Sequence, residues 1–279
     1  MVETGKSILI TGCSSGIGYD AAHGLRRRGW RVFASCRQQS DCARLADEGF
    51  VSPRIDYTDR ASIETGLAEV LDATGGKLDA LFNNGAHGIP GAVEDLPTEA
   101  LSAIFEANVF GWHHLTRAVI PTMRAQGAGR VVQNSSVLGF VPFLWRGAYV
   151  ATKYAIEGLT DVLRLEMHGT GIHVVLIEPG PITSRIRVNS IPHFERWIDW
   201  KASARKDDYE ARLLSRLYDE PTGKDPFELP AEAVTKKLIH ALEAPRPRPR
   251  YYVTTPTYIL GTFRRALPTR ALDWVIRKG

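Results

Sequence analysis

The sequence predicts an α/β fold: a single domain on a doubly wound parallel sheet of about seven strands, with helices on both faces and a helical C-terminal tail. Three observations predict it. Short apolar runs of strand length alternate with longer amphipathic stretches between residues 7 and 177. A glycine-rich turn stands between the first such run and the first amphipathic stretch. Gly12, Arg37, Asn83, Ser136 and Pro179 all fall where strands end, and open parallel sheets bind ligands beyond the carboxyl ends of their strands.

Residues 7–11 form a short apolar run consistent with a buried parallel strand, and Gly12-Cys13-Ser14-Ser15-Gly16-Ile17-Gly18 leads from it into a helix ending near Gly29. Glycines let backbone approach a phosphate, and the free N–H groups and dipole of the helix start favour negative charge. Cys13 is expected here as a small residue and not as a reactive thiol. Residues 30–36 are the second strand, closed by Arg37. At this point an acid binds adenosine ribose hydroxyls, whereas an arginine accommodates a 2′-phosphate. No Asp or Glu lies between Trp30 and Ser40, so NADP is expected in preference to NAD.

A third strand is expected to end at Ile55-Asp56-Tyr57, and Asp59 to cap a helix running to about residue 74. Residues 78–82 are the fourth strand, left through Asn83-Asn84-Gly85-Ala86. A long helix from Pro97-Thr98 to about Ala125 carries Asn108. The fifth strand, 130–134, ends in Ser135-Ser136; helix 147–168 and a sixth strand, 172–177, follow.

Residues 180–229 are poor in strand signals and rich in aromatics (Phe194, Trp197, Trp200, Tyr209, Tyr218, Phe227), as a lid or pocket wall would be. Residues 231–242 are a helix, and the Pro/Arg alternation of 245–250 is an extended connector to a last strand near 251–254. The catalytic domain is thus 1–255. Residues 256–279 form two short amphipathic helices broken at Pro268, their apolar faces packed on that domain. A basic, Trp274-bearing contact with anionic membranes is the less favoured use of this tail.

The chemistry centres on residues 149–153. Tyr149 and Lys153, at i and i+4, share one face of helix 147–168. An ammonium beside a phenol lowers its pKa, which suits Tyr149 to general acid/base work. Ser136, ending the preceding strand, is placed to hold a carbonyl or alcohol oxygen. His87 and His193 could line the pocket, but ordinary solvated loop roles are the favoured reading.

At 279 residues, 44% of them hydrophobic and 24% charged, the chain can bury a substantial core. No apolar run is long enough to span a bilayer, and the N-terminus lacks a signal-peptide layout. Three scattered cysteines, Cys13, Cys36 and Cys42, suggest neither disulfides nor a metal site, so a soluble cytoplasmic protein is expected. The net charge of +4 belongs to the tail: residues 245–279 hold eight basic groups against one acid, and the remainder 27 against 30. Nucleic-acid binding by the fold is not indicated.

With these residues placed, the chain resembles the short-chain dehydrogenase/reductase family over roughly residues 5–255. Its NADP-preferring members, similar to hydroxysteroid and retinol dehydrogenases, match best. The matching motifs are Thr11-Gly12-x-x-x-Gly16-x-Gly18, Asn83-Asn84, the set Asn108, Ser136, Tyr149 and Lys153, and Pro179-Gly180-Pro181-Ile182-Thr183. The resemblance implies a Rossmann-type domain with NADP(H)-dependent alcohol dehydrogenase or carbonyl reductase activity on a small apolar substrate. Tyr149 would exchange a proton with the substrate oxygen while Ser136 hydrogen-bonds it. Lys153 would bind nicotinamide ribose hydroxyls and depress the Tyr149 pKa, and Asn108 would bend its helix and hold a water leading from Lys153 to solvent.

For the cofactor, the resemblance implies contacts from Gly12, Ser14, Ser15, Gly16, Ile17 and Gly18 in the first turn. Arg37, Asp56, Tyr57, Asn83 and Gly85 would serve the adenosine side, with Asp56 at adenine. Tyr149, Lys153, Pro179, Gly180 and Ile182 would serve the nicotinamide side, and Thr183 the nicotinamide carboxamide or the phosphates. One departure stands out: the family's usual Asn-Asn-Ala-Gly is Asn83-Asn84-Gly85-Ala86 here, which is expected to strain Ala86 mildly. The alternative function is a non-catalytic NADP sensor or scaffold on the same fold. A nucleotide-sugar epimerase fits poorly without a sizeable C-terminal domain. Ala151, Ala155, Gly158 and Val162 recur on the outer face of helix 147–168, and a homodimer or higher homo-oligomer is expected through it.

Overall fold

In the computed structural model, which describes residues 5–219 and 225–278, the sheet grows outward from β1 (Ser7–Ile10). β2 (Arg31–Ala34), β3 (Ala80–Asn83), β4 (Gly129–Asn134), β5 (Ile172–Glu178) and β6 (Arg250–Tyr252) complete it in the order β2-β1-β3-β4-β5-β6. Every pairing is parallel, with Leu9 opposite both Phe33 and Leu81 and Val132 opposite Val175. Alternation across the pleat sends Ile8 and Ile10 into one core and Leu9 into the other.

The first core is closed by α1 (Gly16–Arg27) and by α10 (Glu232–Glu243), through Ala21, Ala22, Leu25, Val234 and Leu238. On the opposite face lie α3 (Arg60–Thr74), α5 (Gly111–Gln126) and α6 (Gly147–Glu166), through Ile63, Leu115, Val119 and Ile156. Asp59 caps α3 by accepting the Ser62 N–H at 3.2 Å.

The described residues hold six strands where about seven are expected. The stretch expected to end a third strand at Ile55–Tyr57 runs beside β2 with only two isolated bridges, Phe33 with Val51 and Cys36 with Arg54. Between them Pro53 has no N–H to give, and the Ser52 hydroxyl takes the Ala34 carbonyl at 2.6 Å. The ladder therefore cannot propagate. Just before it, α2 (Gln39–Asp47) is a helix that the sequence reading does not assign.

The helix expected from Pro97 is α4 (Thr98–Phe105) running into α5 through a π-turn at Glu106–Phe110, with Asn108 in the turn. Such single-turn widenings are rare and frequent at functional sites. The expected lid contains α7 (Ile186–Trp197), then α8 (Lys206–Asp208), a π-turn at Tyr209–Leu214 and α9 (Ser215–Tyr218). It builds a third core in which Phe194, Tyr209 and Leu213 pack against Ile89, Ile104 and Ala148.

The tail is α11 (Thr255–Ala266) and α12 (Thr269–Lys278). Tyr258 donates its hydroxyl to the Tyr252 carbonyl at 3.0 Å, and Leu272 is buried. Residues 1–4 of the expected domain, 220–224 of the expected lid and Gly279 of the tail lie outside the described residues. No helix among the described residues is long and apolar enough to cross a membrane.

Candidate active site

The glycine turn after β1 is shaped by close backbone contacts. Gly12 and Gly16 take φ of 67° and 60°, in the left-handed region. A Cβ at Gly12 would stand 2.6 Å from Gly85 Cα, and one at Gly18 would stand 2.3 Å from Gly12 O. Ser15, the N-cap of α1, makes no side-chain cap, and the first turn of α1 holds no acid. The helix start therefore keeps its N–H groups free of side-chain partners, a fit for a dinucleotide's phosphates. Cys13 is wholly buried and donates to the Ile10 carbonyl at 3.2 Å; burial keeps its thiol protonated, so it serves as a small packing residue.

At the end of β3 the asparagines bind different parts of this frame. Asn83 is buried, donating to Thr116 Oγ1 and Gln133 Oε1 at 2.9 Å each and accepting from Tyr57 Oη at 2.7 Å. Tyr57 is also bonded to Thr11 Oγ1 at 2.6 Å. Tyr57 and Asn83 thus lie beneath the glycine turn and brace it. Asn84 donates to the Thr11 carbonyl at 3.0 Å and accepts from Asn134 Nδ2 at 2.7 Å, tying β1, β3 and β4 at their carboxyl ends.

Arg37 is exposed at the end of β2, and its charge acts on His87 and His193. A second guanidinium, Arg44 from α2, donates to the Ser14 carbonyl in the glycine turn at 2.8 Å. Asp56 is engaged locally, accepting the Thr58 N–H at 3.0 Å and its hydroxyl at 2.8 Å.

Around Tyr149 the expected residues converge. Lys153 is 1% exposed, and its Nζ donates to the Asn134 carbonyl at 2.8 Å. The same Nζ lies 4.4 Å from the Trp112 ring centroid and 5.4 Å from that of Tyr149. Burial lowers the Lys153 pKa to about 7, against the charge of Glu157. Burial also raises the Tyr149 hydroxyl above its ordinary value, opposite to the depression expected from its lysine neighbour. The cause is desolvation of the phenol. Ser136 accepts the Leu138 N–H at 3.1 Å and donates to the Pro179 carbonyl at 3.4 Å.

Asn108 accepts the His87 N–H at 3.2 Å and donates to the His87 carbonyl at 2.9 Å and to Thr152 Oγ1 on α6 at 3.3 Å. His87 stacks on His193 of α7, with centroids 3.9 Å apart and planes at 15°. Burial first, then His193 and Arg37, pushes the His87 pKa down to about 3. A neutral imidazole pair thus joins the loop after β3 to the lid.

Gly180 is pressed against Thr254, where a Cβ would stand 2.1 Å from Oγ1. Ile182 bridges to Leu229, and Thr183 donates its hydroxyl to Glu228. Trp145 holds φ at 64° four residues before Tyr149, with its ring 4.8 Å from that of Tyr209 and its carbonyl accepting the Gly91 N–H at 3.0 Å. A bulky residue in the left-handed region marks a site whose shape its surroundings impose.

A family model described as short chain dehydrogenase matches residues 6–193. The chain belongs to the short-chain dehydrogenase/reductase family. It is 36% identical over 272 residues to a protein of Escherichia coli (strain K12) named uncharacterized oxidoreductase YbbO, covering 98% of this chain and 94% of that one. It is 30% identical over 280 residues to the NADPH-dependent 3-dehydrocapnine reductase of Ornithobacterium rhinotracheale, covering 97% and 95%. A solved short chain dehydrogenase/reductase from Burkholderia phymatum in complex with NAD superposes with a TM-score of 0.77 at 26% identity, covering 95% and 94%. The protein is thus a member of a family of NAD(P)-dependent oxidoreductases.

The departure from the family's Asn-Asn-Ala-Gly has a local explanation. Gly85 occupies the close approach to Gly12, while Ala86 does not take a positive φ and packs against the second core. No strain falls on Ala86. The sequence reading misses Arg44, because α2 itself is missed, and it leaves His87 and His193 as separate loop residues. Their only signal in the sequence is a histidine on each side of the cleft, 106 positions apart.

Proposed function

We propose that this short-chain dehydrogenase/reductase is an NADP(H)-dependent carbonyl reductase or alcohol dehydrogenase acting on an apolar aldehyde or ketone and the matching alcohol. The observation that carries it is the gathering of Lys153 Nζ, the Tyr149 ring and the Asn134–Ser136 end of β4 in one largely desolvated space. When bound, the cofactor supplies the hydride. Ser136 holds the substrate oxygen, and Tyr149 gives it the proton in reduction. Lys153 binds the nicotinamide ribose, and the Trp112 face beneath it favours the ammonium form. Trp145 and Tyr209, in the same apolar cluster as Tyr149, would form one wall of the substrate space. The test is an NADPH-oxidation screen over aldehydes, ketosteroids, retinal and 3-ketoacyl thioesters; no turnover with NADPH bound would overturn the reading.

NADP is preferred to NAD because Arg37 closes β2 without a strand-end acid beside it; Arg44, bonded to the glycine turn at Ser14, is already paired with Asp41 and Glu48. The NADPH-dependent relative supports this choice, while the NAD complex of the Burkholderia phymatum neighbour sets the comparison to make. Arg37→Asp is expected to weaken NADPH by about 10–100-fold, the loss of a charge-assisted bond, and to leave NADH nearly unaffected. Fluorescence titration with both cofactors checks it, and a wild type that binds NADH more tightly sinks it.

The outer face of α6 exposes Leu159, Val162 and Leu165 by 48%, 54% and 71%, and a Cβ at Gly158 would meet nothing. An apolar face of this kind is the expected seat of a homodimer. Light scattering should give twice the chain mass of 30.9 kDa, and Val162→Arg should return the monomer. A monomeric wild type at micromolar concentration would refute the interface.

A further inference from the structure

One helical turn beyond Lys153, Glu157 is buried, and Glu178 at the end of β5 is wholly buried; they are the only buried acids among the described residues. Both carboxyls meet one nitrogen, Arg250 Nη1, Glu178 Oε1 at 2.5 Å and Glu157 Oε2 in direct contact. Arg250 Nη2 takes a third carboxylate, Asp161, at 2.6 Å. The other oxygens, Glu157 Oε1 and Glu178 Oε2, are buried and make no hydrogen bond of ordinary geometry, although Ser135 is close enough to act on the titration of Glu157, and Glu157 on that of Glu178. Ser135 Oγ and Asn134 Oδ1, beside the carbonyl that holds Lys153, are also buried without such a bond. Gly139 closes the cluster: a Cβ there would stand 2.6 Å from Ser135 Oγ and 2.8 Å from Glu157 Oε1.

The charged or titratable groups facing this pair are Lys153, Asp161 and Arg164 on α6, and Arg250 and Tyr252 on β6. Asp161 is partly exposed and also paired with Arg164, so the two buried carboxyls are left to share the Arg250 guanidinium. Two carboxyls on one nitrogen cannot both ionise cheaply there.

We propose that Glu157 and Glu178 share one proton, resting on Glu178, and that the charge left on Glu157 holds Lys153 in its ammonium form. Glu157 is then a positioning residue that acts through Lys153, a role that rests on the cofactor-binding reading of Lys153 given above. The direction follows from placement. Glu157 is at i+4 from Lys153 on one helix face, whereas Glu178 lies across Arg250 on the sheet. Lys153 has only neutral hydrogen-bond acceptance from Asn134, and burial draws its pKa down to about 7. Burial raises both carboxyls; Glu178 reaches about 8 with Glu157 as the second cause, while Ser135 and Arg250 pull Glu157 back down, which suits Glu178 to carry the proton.

Two measurements on the full-length protein test this. Infrared difference spectra at neutral pH should show the carbonyl stretch of one protonated buried carboxyl in the wild type. It should vanish in both Glu157→Gln and Glu178→Gln, since a single remaining carboxyl ionises against Arg250. A wild type without that band overturns the shared proton whether or not the protein turns over any substrate. NADPH binding, followed by fluorescence from mildly acid to mildly alkaline pH, reads the effect on Lys153. Glu157→Gln should move the alkaline loss of affinity toward acid by about one pH unit, the Coulombic effect of one nearby charge. Glu178→Gln should leave that limb in place, and Glu157→Asp, which keeps the charge, should restore most of it. Equal shifts in Glu157→Gln and Glu178→Gln, or a Glu157→Asp profile like that of Glu157→Gln, would reduce Glu157 to a packing residue. Should Glu157→Gln not fold, Glu157→Asp and Glu178→Gln decide the matter through the same two readouts. Failure of the wild type to bind NADPH would remove the cofactor reading and leave the infrared result standing.

Discussion

Tyr149→Phe should lower carbonyl reduction by about 10²–10⁴-fold, the usual contribution of a positioned general acid, while NADPH still binds. The substitution removes one hydroxyl and keeps the ring, which packs with the third core beside Trp145. Folding and Lys153 placement are therefore preserved, and the loss reports proton transfer alone. The elevated Tyr149 pKa sharpens the expectation. A phenol that stays protonated is a ready acid for reduction, so the reductive rate should change little through neutral pH. Alcohol oxidation needs the phenolate and should rise as pH rises. Stopped-flow measurement of NADPH oxidation in both proteins checks the first part and pH profiles in the two directions the second. A variant with near wild-type kcat would move the acid to another group.

What could be read from the chain follows from the range of each interaction. The spacing of Tyr149 and Lys153, the glycine turn and the alternation of strands with helices are local patterns, and the structure reproduces them within a few residues. The third strand fails because a proline and a serine side chain replace ladder bonds between neighbours that sequence periodicity does not expose. α2 is short and carries few apolar residues, with Cys42 and Leu45 alone buried. The upward shift at Tyr149 has the same origin in tertiary structure. Sequence shows the ammonium one turn away, but only the folded chain shows how far the phenol is desolvated. The His87–His193 stack and the Arg250 cluster join residues 72 to 106 positions apart, and no period or motif predicts either.

Arg250→Met should destabilise the fold by about 3–5 kcal/mol, the usual loss when one partner of a buried ion pair is removed. In a chain of this size that is a fall in Tm of roughly 10 °C. Methionine fills much of the arginine volume, so the loss is electrostatic: Glu157, Glu178 and Asp161 lose their common donor. The pH dependence separates this from a packing defect. Glu178 already titrates high, near 8 against an ordinary value of 4.5, because of burial and Glu157. A carboxyl with a raised folded pKa binds its proton more tightly folded than unfolded. Its contribution to stability is fully present below about pH 4.5 and is lost as pH rises through about 8. Without Arg250 the folded pKa values of both glutamates climb further, so the mutant's deficit should shrink in mild acid and widen in mild alkali. Melting curves of the two proteins across that range give the answer. A Tm difference that stays constant with pH would mean that Arg250 stabilises by packing and β6 pairing, and that its three carboxylates are not held by charge.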